Sequence, residues 1–248
     1  MTGVPGPPVA ITMGDASGVG PEIVLRRAAD GALGDGGAVV YGDAAVLRHG
    51  AQLLGLDDVR IDVVDAPGDV HPGALCMVDL GLLGEADHRP GELDATSGAA
   101  ARAYVLAATD AALAGDVAAI VTMPMNKEAT QLRDPTFVGH TELAAERCGA
   151  RSVTMMLTTE HANGSLAVTH VSTHCSLREA IERVRRDRVL EVIRLTHTAL
   201  RAFIPEPRIA VCGLNPHAGE HGLFGGEDAE EIAPAIEAAR ADGIDASG

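Results

Sequence analysis

Among its 248 residues the chain has no tryptophan, two tyrosines, three phenylalanines and a single lysine. Aromatics at 2% exclude a core of the aromatic-rich β-sandwich kind, and the 46% apolar content comes instead from small aliphatic side chains that suit helices packed closely on a sheet. Cysteine is sparse as well. Cys76, Cys148, Cys175 and Cys212 lie far apart and form no CxxC pair, which argues against a disulfide framework and for a reduced, cytoplasmic protein. No apolar run approaches the roughly 18 residues that a membrane span needs, and residues 1–8 have neither the basic start nor the apolar stretch of a leader. Positive charge is scarce. Nineteen Lys and Arg against 35 Asp and Glu give a formal net charge of −16, so neither nucleic acid nor an anionic membrane is an expected partner. The one basic run, residues 183–188, is interrupted by Asp187 and preceded by Glu182, the pattern of a solvated helix face.

What is present alternates strand and helix. The run Val9-Ala10-Ile11-Thr12 reads as a strand, and Gly14, Gly18 and Gly20 make a loop. Pro21 and Glu22 then suit the first turn of a helix. The glycine spacing is neither G-x-G-x-x-G nor a P-loop, so no nucleotide fingerprint is claimed, although free backbone N–H groups there can hold an anion. Asp15 either binds a substrate or caps the turn. Strands are expected at 38–41, 60–64, 118–122, 152–157, 165–171 and 208–212, and helices at 43–54, 96–114, 141–147, 176–203 and 229–241. Residues 65–93 read as irregular connection or hairpin with a short strand at 76–80. The expected architecture is α/β, three layers about a mostly parallel sheet, with ligands gathering beyond the carboxyl ends of the strands. The expected subdomains are 1–125 plus 205–248, and 126–204, around a cleft.

Candidate site residues sit at those strand ends. His174 follows the run 166–171 and His217 follows 208–212, so the two imidazoles are a candidate divalent-metal pair, the alternative being two ordinary loop histidines. Lys127, the only lysine, lies in Met125-Asn126-Lys127-Glu128, and a lone ammonium among arginines suits anion binding or proton transfer. His140 is either a helix-entry residue satisfied by backbone or a ligand contact. Asn215 reads as a turn former, and His170, His197 and His221 as structural or solvated residues.

Six strings occur in order: Ile11-Thr12-Met13-Gly14-Asp15, Gly18-Val19-Gly20-Pro21-Glu22, Asn126-Lys127, Gly139-His140-Thr141-Glu142, Ser172-Thr173-His174 with Leu177-Arg178, and residues 213–220 with Gly222-Leu223-Phe224-Gly225. Together they resemble the 4-hydroxythreonine-4-phosphate dehydrogenase (PdxA) family. The opening Met13-Gly14-Asp15 is closer to its branch acting on 4-phosphorylated threonate or erythronate. Ala16-Ser17 departs from the usual Pro-Ala, and Thr122-Met123-Pro124 from a common Gly-Pro. The resemblance implies an isocitrate/isopropylmalate-dehydrogenase-like fold, a homodimer with its active site at the subunit interface, NAD or NADP, and a divalent metal such as Zn, Mg or Co. It implies that His174 and His217 are metal ligands and that His140 and Thr141 contact the phosphorylated substrate; Asn126 is a further candidate for substrate binding, and Lys127 for the catalytic residue that binds a substrate anion or transfers a proton.

Family members carry a third metal histidine and further substrate-binding residues in a last quarter without counterpart here, so the chain reads as lacking a C-terminal part. The expected function is oxidation of the secondary alcohol of a 4-phosphorylated hydroxy acid, 4-phosphohydroxythreonine or 4-phosphothreonate/erythronate, followed by decarboxylation. The rival readings are a catalytically impaired homologue or regulatory partner, and an acyltransferase of related fold.

Overall fold

The structure, a computed structural model, describes residues 6–33, 35–161 and 164–248. It groups into two compact units, Met1–Ala150 and Arg151–Gly248, a division different from the expected one.

The first unit contains β1 (Val9–Thr12), α1 (Gly20–Ala29), β2 (Ala38–Gly42), α2 (Ala44–Leu54), β3 (Ile61–Val63), β4 (Leu75–Asp79), α3 (Ala95–Ala114), β5 (Ala119–Thr122), α4 (Lys127–Gln131) and α5 (His140–Arg147). Its five strands are all parallel in the order β3-β4-β2-β1-β5, with Val9 opposite both Ala38 and Ala119. Buried apolar side chains fill β1, β2 and β4, as expected for a sheet covered on both faces. Helix α3 packs through Ala100, Tyr104 and Ala108, whose mostly small side chains let the backbones approach. Asp94 caps its start by accepting the Thr96 and Ser97 N–H groups at 2.9 and 2.7 Å, and Gly115 in the left-handed region ends it. The stretch 65–93 is no hairpin: β4 enters the sheet between β2 and β3 with both neighbours parallel.

Asp43, fully buried where β2 turns into α2, accepts the N–H groups of Leu82 and Leu83 at 2.7 and 3.1 Å and the Tyr104 hydroxyl. One side chain thereby ties three segments together. Burial pushes its carboxyl above the usual range, and the Tyr104 hydroxyl and the two N–H donors pull the other way.

The second unit contains β6 (Met156–His161), β7 (Gly164–Thr169), α6 (Leu177–Arg183), α7 (Arg186–Leu200), β8 (Ile209–Ala210), α8 (Ala233–Ala241) and β9 (Ala246–Ser247). Strands β6 and β7 form an antiparallel pair, and β8 and β9 a separate parallel pair, so the strands past residue 150 do not extend the five-stranded sheet. The first of them starts later than the sequence suggested. Residues 152–155 are held chiefly by side chains, with one backbone bond from the His170 N–H to the Met155 carbonyl at 3.1 Å: Thr154 Oγ1 donates to the His170 carbonyl at 2.6 Å, and the Arg188 guanidinium to the carbonyls of Val153 and Val171, each at 3.0 Å. The expected helix over 176–203 is two helices. Glu231 accepts the Arg186 N–H at 2.6 Å and the Arg185 guanidinium at 3.1 Å, giving α7 a start of its own. Residues 244–248 carry β9, and Ile244 and Ala246 join Val184, Leu190, Ile193 and Ile236 in the core of this unit. Among the described residues no helix is long and apolar enough to cross a membrane.

A histidine pair is expected to give the first unit a pH-dependent stability. His88 is 6% exposed, its Nδ1 lies 3.2 Å from Nδ1 of His49, and the rings meet edge to face. Burial, then His49, lowers the His88 pKa from its ordinary value. Below the unfolded value of about 6.5 the unfolded chain binds the proton more readily, so stability present above that pH is lost as pH falls. Burial lowers the His140 pKa as well, adding a slope of the same sign. The thermal midpoint is expected to fall between about pH 7.5 and 5.5, and His88→Gln to flatten that slope. An unchanged slope in the variant contradicts the assignment.

Candidate functional site

In the first unit the loop after β1 closes against the segment after β5. Gly14 has φ +77°, and a Cβ there would lie 2.5 Å from the Pro124 carbonyl oxygen, so the position needs glycine for conformation and for space. The Asp15 N–H donates to that same carbonyl at 3.0 Å. Asp15 is 3% exposed and its Oδ1 accepts the Ser17 N–H at 2.8 Å, the turn-capping contact foreseen as one of its two roles. Burial raises its carboxyl pKa, against hydrogen bonds from the Ser17 and Asn126 backbones that lower it. Ser17 in turn reaches Ser97 Oγ at 3.2 Å and accepts the Gly91 N–H at 2.8 Å. Around this loop opens a cavity of about 470 Å³ lined by Asp15, Ser17, Glu92, Asn126 and Glu128, among others. The anion anticipated beside these backbone N–H groups thus faces carboxylates. Glu92 and Glu128 carried no sequence signal, since each is one acidic residue among many.

Asn126 caps α4 by accepting the Ala129 N–H at 3.1 Å. Helix α4 sits where it does because Gly98 has no side chain: a Cβ there would lie 2.4 Å from the Ala129 carbonyl carbon. Lys127, the first residue of α4, is exposed and pairs with no carboxylate among the described residues. His140 begins α5 and is half-buried; burial lowers its imidazole pKa, and the nearby Met123 backbone opposes that shift. Its Nε2 is buried without a partner among the described residues. Burial thus favours the neutral ring, in which one of the two ring nitrogens is an acceptor. Thr141 follows it, partly buried.

In the second unit His174 lies between β7 and α6, and His217 follows β8. Both are exposed. The described non-glycine residues with positive φ are His174 at 52°, His217 at 54°, Ala218 at 50°, Glu220 at 41° and His221 at 57°. Both expected metal ligands therefore hold a backbone conformation that costs an L-residue about 1–2 kcal/mol, a strain that concentrates at functional sites. Ser176 Oγ accepts the Glu179 N–H at 3.2 Å, half of the capping box that the sequence suggested, and this fixes the turn after His174.

The turn is left-handed over 217–221 and is held from Asp228. That carboxylate accepts the N–H groups of Leu214 and Asn215 at 2.8 and 3.1 Å and the Asn215 side-chain amide at 2.9 Å. Burial alone would raise the Asp228 carboxyl, yet these donors hold it below the usual range. Glu227 takes a further bond from the Asn215 amide at 2.8 Å. The residues anchoring the His217 turn lie a dozen positions downstream, where sequence spacing gave no warning. His170 and His197 each keep a buried Nδ1 without a partner among the described residues.

Among the described residues no three His, Cys, Asp or Glu side chains form a group able to hold a metal ion. His174 and His217 supply two imidazole donors. That set suits a cation completed by water and substrate, and is one short of the three protein ligands usual for catalytic zinc. The motifs after β1 and β5 do lie at the carboxyl ends of parallel strands, whereas His174 follows an antiparallel hairpin and His217 a two-stranded sheet, a correction to the single shared sheet expected.

Comparison with known proteins gives this arrangement a context. A family described as the pyridoxal phosphate biosynthetic protein PdxA matches residues 36–248. The D-threonate 4-phosphate dehydrogenase of Pectobacterium atrosepticum is 40% identical over 243 residues, covering 97% of this chain and 73% of that protein. The 4-hydroxythreonine-4-phosphate dehydrogenase of Beijerinckia indica is 42% identical over 247 residues, covering 97% of this chain and 70% of that one. The crystal structure of a 4-hydroxythreonine-4-phosphate dehydrogenase from Klebsiella pneumoniae superposes with a TM-score of 0.88 at 40% identity, covering 98% of this chain and 73% of that one. A terephthalate 1,2-cis-dihydrodiol dehydrogenase from Burkholderia xenovorans superposes with a TM-score of 0.66 at 31% identity, over 98% and 72% of the two chains. The collinear motifs, the parallel sheet that carries the first of them and these matches along nearly the whole length agree: the chain belongs to the PdxA family.

Proposed function

We propose that this chain is a dehydrogenase that oxidises the secondary alcohol of a small 4-phosphorylated hydroxy acid, using NAD(P) and a divalent metal, with loss of CO₂ following. The observation that carries the reading is the identity of about 40% over 97% of the chain to proteins named D-threonate 4-phosphate and 4-hydroxythreonine-4-phosphate dehydrogenase. D-Threonate 4-phosphate is the preferred substrate in this reading, in line with the opening Met13-Gly14-Asp15. We read the working form as a homodimer.

His174 and His217 would hold the cation. Bound there, it supplies Lewis-acid polarisation for an alcohol being oxidised and for the enolate left by decarboxylation. The rest falls to the chain itself. Both histidines would sit on backbone already held in the left-handed region before substrate arrives. His140, at the start of α5, would present its unpartnered Nε2 to a hydroxyl of substrate or phosphate. Thr141 stands beside it at the start of α5, where helix N–H groups favour an anion. Lys127, unpaired among the described residues, holds a substrate anion or moves a proton, and Asn126 positions it by capping α4.

The test is a panel of D-threonate 4-phosphate, 4-phosphohydroxythreonine, unphosphorylated threonate and a cis-dihydrodiol, each with NAD or NADP and with Mg²⁺, Zn²⁺ or Co²⁺. The expected result is reduced dinucleotide from the phosphorylated acids, with unphosphorylated threonate at least about a hundredfold poorer in kcat/KM, as loss of a charged anchor implies. Metal binding with no reduced dinucleotide from any substrate would leave a non-catalytic homologue as the better account.

A further inference from the structure

His217 opens a run of strained backbone. Residues 217–221 all hold positive φ, and His217, Ala218, Glu220 and His221 among them are not glycine. All four are exposed, so no apolar packing offsets the strain of L-residues held in that region. Local bonds close the loop: the Ala218 N–H donates to the Asn215 carbonyl at 3.0 Å, and the Leu223 and Phe224 N–H groups to the Glu220 and Gly219 carbonyls, each at 3.2 Å.

Restraint from outside the run converges on one carboxylate. Asp228 is 6% exposed, and all three of its donors, the Leu214 and Asn215 N–H groups and the Asn215 amide, lie where the chain enters the turn. A Cβ on Gly213 would stand 2.9 Å from Asp228 Oδ1, and one on Gly219 3.6 Å from Oδ2, so the carboxylate sits against both the entry and the middle of the turn. Gly225 likewise leaves room for the Asn215 amide, 2.8 Å from where its Cβ would be. Bonds to an ionised acceptor are roughly twice as strong as neutral ones, which makes three of them comparable with the strain they oppose.

We propose that Asp228 is a positioning residue for the cation site: it holds the strained turn that presents His217, and the affinity of the two histidines for a divalent cation depends on it. The inference rests on the metal reading above and adds the residue that sets the strength of the site. Asp228 acts through the backbone, because its oxygens are engaged by the three donors. Among the described residues no third His, Cys, Asp or Glu joins the histidines in a metal-holding group, so a relaxed turn at His217 has no further protein ligand to compensate for it. The left-handed run is thus kept under tension by a carboxylate outside it, and releasing that tension frees the backbone under the ligand.

Calorimetric titration of the metal-free chain with Zn²⁺ alone tests this without turnover, counting only the binding that His217→Ala abolishes. Asp228→Asn, which puts an amide donor among N–H donors, is expected to weaken that binding by about 10–100-fold. Because Asp228 is buried, Asn215→Ala provides a second arm: it removes the amide bonds to Asp228 and Glu227, keeps both backbone bonds, and should weaken Zn²⁺ by about tenfold. Ala218→Gly relieves strain at φ 50°, and added to either variant it should restore affinity by about fivefold. Val189→Ala, at a position 2% exposed in the core of the same unit, should lower the thermal midpoint while binding Zn²⁺ as the parent does, which separates positioning from stability. Parent-like affinity in the Asp228 and Asn215 variants, equal loss in Val189→Ala, or no recovery from Ala218→Gly would overturn the assignment and leave the metal reading standing. If the parent itself shows no Zn²⁺ binding that depends on His217, both fall.

Discussion

Alanine at His217 is expected to lower kcat/KM for D-threonate 4-phosphate by about a thousandfold, the several kcal/mol attributed to a metal's polarisation of the reacting oxygens. Bound metal should fall from about one per chain to near zero, because one imidazole cannot replace two. His174→Ala should do the same. A purely structural role is separated from a chemical one by His217→Gly. At φ 54° glycine relieves the strain that histidine sustains, so this variant should match or exceed the parent in thermal midpoint while being as inactive as the alanine variant. Metal content by elemental analysis and kcat/KM on the same preparations check both points. A glycine variant that retains metal and activity contradicts the assignment of His217.

The second large effect is on stability. Asp43→Ala removes the acceptor shared by the Leu82 and Leu83 N–H groups and the Tyr104 hydroxyl, all three in or beside the core. A buried donor left without a partner costs roughly 1–3 kcal/mol, so the sum reaches about 3–6 kcal/mol, a large share of the total stability of a domain. Asp43→Asn should recover part of the loss, since one amide oxygen still accepts a backbone N–H and the Tyr104 hydroxyl can turn to accept from the amide. Denaturant unfolding of the three proteins measures this, and a loss below about 1 kcal/mol in the alanine variant contradicts the ledger of donors.

Much of the first unit was legible because its signals are local. The strand 9–12, the glycine loop and Pro21-Glu22 lie consecutively in the sequence, and Gly115 announces the end of α3 by itself. What escaped was set from a distance. The start of β6 depends on Arg188, more than thirty residues on, and the break between α6 and α7 on Glu231, some forty-five residues on. Pairing of β8 with β9 likewise joins segments whose short apolar runs specify no partner.

The site divides in the same way. His140, Asn126 and Lys127 were visible as residue types at helix starts, but Gly98, which admits α4, was not. The left-handed turn at 217–221 was hidden because only Gly219 within it advertises positive φ, and Asp228, which holds that turn, reads in isolation as one more acidic residue before a helix.

The central claim is that His174 and His217 serve one cation. A crystal of this chain grown with Zn²⁺ or Mn²⁺ and measured at the metal's absorption edge tests it directly. The account predicts one anomalous peak within roughly 2.0–2.3 Å of a ring nitrogen of each histidine. Rings pointing apart, or a peak touching one of them alone, would contradict it.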